Sequence, residues 1–218
     1  MVTTQDKLQK AFVRGSSRDW MQMAGAYALV QMALWTQHAT QAIFALVAAA
    51  WIVAGTLLSR DGPRQLGITA RGFRQSLWII PVAGCVGLLL VASAWMAGTL
   101  HVLHGRQPVL WHTFLYFVWA LVQEFIVQSF FFVRIESVLE NSRGAVIATA
   151  LLFCAAHIPN PVLIAATFLL ALALTEVFRR NRNLYPLAIA HGLLGLALAV
   201  SVPDALSHHM RVGIAYWF

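Results

Sequence analysis

Charge is what this chain has least of. Of 218 residues, 8 are Asp or Glu and 15 are Lys or Arg, while 60% are hydrophobic. Soluble domains hold about 45–50% apolar and about 25% charged residues. A water-soluble enzyme does not fit these proportions. Neither does a disordered chain, which combines low hydrophobicity with high net charge. Cysteine is nearly lacking as well. Cys85 and Cys154 both lie in apolar stretches, so they read as small packing residues, not as a disulfide framework or zinc site. The first 20 residues, MVTTQDKLQKAFVRGSSRDW, have no apolar core, which argues against a cleavable signal peptide. There is no repeat or low-complexity tract, so residues 1–218 read as one domain.

What is present is a series of long apolar runs. A transmembrane β-barrel needs short alternating segments, and these runs are continuous. They predict an all-α, polytopic transmembrane bundle. A bilayer core of about 30 Å takes roughly 20 apolar residues at 1.5 Å per residue. Seven helices are expected, over about 21–36, 40–58, 76–100, 112–134, 144–157, 161–178 and 185–202. Residues 1–20 then form a cytoplasmic or interfacial segment. The fifth helix is short for a span. After it, Ile158-Pro159-Asn160-Pro161 reads as a break buried among neighbours, because irregular backbone at membrane depth persists only inside protein or along a cavity. The tail, 203–218, ends in AYWF. It reads as an interfacial anchor or part of an eighth apolar element.

Basic residues in the loops orient such a bundle. With the N-terminus in the cytoplasm, that side receives Lys7, Lys10, Arg14, Arg18, Arg60, Arg64, Arg71, Arg74, Arg134, Arg143, Arg179, Arg180 and Arg182. The other side receives Arg106 and Arg211. This asymmetry accounts for the net charge of +7 without a nucleic-acid partner. It predicts a multi-pass protein of the inner or plasma membrane whose surroundings are the lipid bilayer.

Ionisable residues inside spans are costly, at about 2.5–3.5 kcal/mol each on insertion scales, and are functional candidates by default. Glu124, His157 and His191 stand out. Counted from Arg134, Arg143 and Arg182, they lie roughly 15, 21 and 14 Å above one surface at 1.5 Å per residue. One carboxylate and two imidazoles from three helices thus share a depth. Glu176 lies near Arg179 and Arg180 and reads as an end-of-helix ion pair. Gln128 shares a helix face with Glu124, and Gln123 lies about a quarter-turn away. A Glu–His pair can hold a water and take its proton, while a second His donates to the oxyanion formed at a carbonyl. That is the requirement for amide hydrolysis by water. Glu and two His are also a zinc ligand set, but no HExxH places two ligands on one helix. Ser129 has no GxSxG elbow around it and reads as a packing residue. His101, His104, His112, His208 and His209 lie outside the spans and read as surface or interfacial.

The order of these residues resembles the CPBP family of intramembrane proteases, also called Abi or type II CAAX prenyl endopeptidases. Its motifs are EExxxR, FxxxH and HxxxN or HxxxD. The likeness covers roughly Trp111–Val202, with Arg64–Ile68 (RQLGI) a further segment. It places Gln123-Glu124 on the Glu pair, Gln128 on the Arg, Phe153 and His157 on FxxxH, and His191 on the last His. The resemblance implies that Glu124 with His157 activates water and that His191 stabilises the oxyanion; no cofactor is expected, with zinc held by Glu124, His157 and His191 as the alternative. Gln123, Gln128 and Gly195 depart from the motifs. Gln123 is then left to orient water or substrate, and Asn160 to supply a polar group near His157. The departures also keep open a catalytically degenerate scaffold or immunity factor on the same fold. A proton-coupled transporter is a weaker reading, since no inverted repeat is visible.

Overall fold

The structure, a computed structural model, describes residues 4–59, 61–101 and 109–218, with side chains from Ser17 onward. Arg60, His104 and Arg106, and the side chains of Lys7, Lys10 and Arg14, lie outside the described residues. Every regular element described is helical. α1 (Thr4–Trp35) and α2 (His38–Leu57) form a hairpin. A short α3 (Phe73–Ser76) turns into α4 (Ile79–Met96). A long rod follows, made of α5 (Val109–Glu124), a π-helical segment (Phe125–Phe132) and α6 (Val133–Leu139). Then come α7 (Ser142–Ala155), α8 (Pro161–Asn181), α9 (Tyr185–Ser201), α10 (Asp204–Ser207) and two 3-10 turns ending at Trp217.

Helix occurs at all seven expected places, with shifted ends. α1 begins at Thr4 rather than near residue 21, because one interior glycine, Gly15, costs only about 1 kcal/mol and does not break a helix. The third stretch is divided at Leu77-Trp78. Among the described residues four stretches are long and apolar enough to cross a membrane: His38–Leu57, Phe73–Met96, Val109–Leu139 and Pro161–Asn181. Tyr185–Ser201 with Asp204–Met210, bent by 116°, makes a fifth if taken as one span. α7 has only 14 residues. The Ile158–Pro161 break is present, with Asn160 fully buried. Asn160 caps α8 by accepting from Leu163 N, and Pro161 occupies the first turn, where its missing N–H is no loss.

Side-chain bonds gather the connections at two opposite ends. At one end Arg18 donates to Leu58 O, Ser137 to Asp19, and Asn183 to both Thr69 O and Arg71 O. Arg182 pairs with Glu136 there, and its guanidinium lies over the rings of Phe132 and Phe178. At the other end Thr99 donates to Ser201 O, Asn160 to Ser207 O and Arg211 O, and Gly213 N to Ile158 O. The tail is therefore packed back over the break that follows α7.

The π segment runs through the centre, touching α2, α7 and α8. Residues 127–135 are all buried. Arg134, counted above as a loop charge, is 2% exposed. It donates to Gln22 Oε1, Phe130 O and Gly55 O, each at 2.9 Å, and its guanidinium lies 3.9 Å from the centre of the Phe130 ring. It ties α1 and α2 to the π segment and is not a free surface charge. The 61–72 loop is seated on the other side. Ser129 donates to Leu66 O at 2.6 Å. Gly72, at φ +79°, would bring a Cβ to 1.9 Å from Asn181 O. Gly84, in α4, has open space around it.

Gly72→Ala is expected to destabilise the protein by about 2 kcal/mol or more, since an L side chain is strained at that φ and blocked by backbone. Gly84→Ala is expected to stay within about 1 kcal/mol of native. Unfolding in detergent micelles, followed by tryptophan fluorescence, checks both.

Candidate active site

The site forms where the α5 rod changes from α to π geometry. A π turn carries one extra residue, closed here by Val133 N bonding to Gln128 O. Such turns frequently mark functional sites. Glu124 is the last α-helical residue before it and is 3% exposed. Its Oε1 lies 2.8 Å from His191 Nδ1, and His191 is 5% exposed. Gln128, one turn on, donates from Nε2 to Glu124 Oε2 at 3.1 Å and to Thr175 Oγ1 at 3.1 Å. Both carboxylate oxygens thus face N–H groups, the pattern that suits an ionised Glu124. An ionised carboxylate only accepts, so His191 Nδ1 presents an N–H to it, and Nε2, which points away from the pair, donates only when the ring is the doubly protonated imidazolium.

His157 stands apart from that pair. It lies in the turn after α7, half-buried, with Nδ1 2.8 Å from Phe153 O. A carbonyl can only accept, so in neutral His157 the Nε2 lone pair is free. The Phe153 ring connects the two imidazoles. It meets His157 edge-on at 4.8 Å between centroids and His191 at 6.1 Å. Glu124 is therefore hydrogen-bonded directly to His191, while His157 stands across the Phe153 ring. The reason is geometric: α5 and α9 pack side by side, whereas His157 follows the end of α7.

Gln123 is half-buried and makes no side-chain hydrogen bond among the described residues. Asn160 does not serve His157, because its amide is committed to Ser207 O, Arg211 O and the α8 cap. Gly195, where the motif has Asn or Asp, faces the Tyr116 hydroxyl; a Cβ there would lie 1.9 Å from it. Among the described residues no three His, Cys, Asp or Glu side chains are grouped as a metal-ligand set. Glu124, His157 and His191 do not fit zinc in this arrangement, and no step below uses a metal. Glu176 bonds Arg179 and Arg180, as expected. Thr175 and Tyr116 escaped the sequence reading, which weighed Glu and His and the polar residues near them in the chain. The available signal was a Thr and a Tyr within otherwise apolar helices.

Residues 105–197 match the family model for Rce1-like type II CAAX prenyl endopeptidases. That match supports the CPBP family assignment. Glu124, His157 and His191 all lie within the matched segment. The family suggests intramembrane protease activity, and with the apolar helices it indicates a multi-pass membrane protein. No curated protein and no solved structure matches the chain significantly.

Glu124→Gln is expected to fold with native stability within about 1 kcal/mol, because the unpartnered Gln128 Oε1 can turn to accept from the new amide. Glu124→Ala leaves His191 Nδ1 and Gln128 Nε2 without that partner and is expected to cost about 2–4 kcal/mol. Thermal unfolding of the two variants side by side checks the difference.

Proposed function

We propose that this protein is an intramembrane endopeptidase that hydrolyses a peptide bond of a peptide or membrane-protein substrate with a bound water. The observation that carries the reading is the buried Glu124–His191 hydrogen bond, with a second imidazole across Phe153. The family match supports it. Water lies between Glu124 and His157. His157 Nε2, its other nitrogen being engaged, takes the proton as the water oxygen attacks the carbonyl carbon. Negative charge moves to the carbonyl oxygen. Glu124 stabilises positive charge on His191, whose Nε2–H then donates to that oxyanion. Collapse of the tetrahedral intermediate breaks the C–N bond, and His157 returns the proton to the leaving amine. Gln128 and Thr175 hold the carboxylate in place.

Seven crossings with a cytoplasmic N-terminus, in the inner or plasma membrane, belong to the same proposal. The division of basic residues, twelve to two once the buried Arg134 is set aside, supports this orientation. Cysteines introduced by Arg64→Cys and His101→Cys test it. In intact cells a membrane-impermeant maleimide is expected to label only the second.

The activity is tested by comparing peptide termini in membranes from cells making the native chain, Glu124→Gln or His157→Gln. New termini are expected with the native chain and are expected to fall at least about 100-fold in both variants, the scale of a lost acid–base group. Identical termini in all three would overturn the endopeptidase reading.

A further inference from the structure

We propose that the Tyr116 hydroxyl is a catalytic group, the second donor to the oxyanion beside His191; this rests on the endopeptidase reading above. Tyr116 lies on α5, eight residues before Glu124 and on the same side through the fully buried Ala120. Its phenol oxygen is pressed against α9 at Gly195, one turn beyond His191. A Cβ at Gly195 would stand 1.9 Å from Tyr116 Oη and 2.8 Å from Cζ. The neighbouring contact is as close: a Cβ at Gly192 would meet the Phe117 ring at 2.4 Å. Two glycines on α9 thus admit two aromatic side chains from α5, and the one beside Gly195 carries a hydroxyl.

That hydroxyl makes no hydrogen bond among the described residues. Tyr116 is half-buried, and its oxygen is not one of the sealed, unpartnered polar atoms, so the hydroxyl borders accessible space beside α9. Phenylalanine would fill the same space without it, so packing explains the ring and leaves the oxygen unaccounted for. A donor is what the site needs here. His191 offers one Nε2–H, whereas oxyanion sites gain from more than one preorganised donor. The two donors come from different helices, yet both are fixed by the α5–α9 contact. No added residue is required, and the O–H gives a hydrogen bond without transferring its proton.

The experiment uses the full-length protein in lipid vesicles and a peptide spanning the cleavage site found by the comparison of termini. Tyr116→Phe is expected to unfold at the native temperature, since the hydroxyl has no partner to lose. Its kcat is expected to fall about 100-fold, as for loss of one oxyanion donor, with KM within about twofold. Gly195→Asn alone is blocked by the phenol. Combined with Tyr116→Ala it returns a donor to the same space, and kcat is expected to recover at least about tenfold over Tyr116→Ala. Native kcat in Tyr116→Phe while Glu124→Gln is inactive overturns the role of Tyr116 alone. A natively stable double variant without recovery also overturns it. Turnover by Glu124→Gln, or no cleavage site at all, overturns the endopeptidase reading with it.

Discussion

A polar group inside a bilayer has no water to bond, so each one must find its partner within the protein. Much of this structure follows from that constraint. Arg134 is buried without a carboxylate, and three acceptors from α1, α2 and the π segment surround its guanidinium. Asn160 and Asn183 are fully buried, and each holds two backbone carbonyls of a distant segment. These bonds fix where the 61–72 loop and the 203–213 tail lie. Polar residues act here as joints between apolar rods.

The Glu124–His191 pair obeys the same rule with a different consequence. Its members satisfy one another, and Gln128 with Thr175 completes the carboxylate's shell. A buried ion or hydrogen-bonded pair contributes little to stability compared with apolar residues of similar size. What it supplies is orientation. His191 is held by one nitrogen, leaving the other directed, and His157 is held likewise by Phe153 O. Two imidazoles thus stand on either side of one aromatic ring, each with one nitrogen engaged.

The π segment is what brings these groups into register. In an unbroken α-helix only one stripe faces the core, whereas residues 127–135 are buried without interruption. Within it Gln128 reaches back to Glu124 while the next residue, Ser129, reaches Leu66 of the 61–72 loop. The same rod therefore serves the site and anchors the loop before α3.

Much of the fold was legible in the sequence because a bilayer imposes simple requirements: apolar length, helical backbone and basic loops. Helix at seven places, the short α7, the Ile158–Pro161 break and the isolation of Glu124, His157 and His191 can all be read from residue order. A common depth is expected for them as well, since 1.5 Å per residue turns spacing into height. Azimuth cannot. Whether Glu124 meets His157 or His191 depends on how each helix is rotated and which helices pack together, and the π turn shifts that rotation by an amount hydropathy does not encode. Arg134 shows the same limit, since composition counted it as a surface charge and packing buried it. The sequence determined which residues are too polar for the membrane; tertiary structure decided which of them are partners, because partnership requires contact in three dimensions and depth specifies only one.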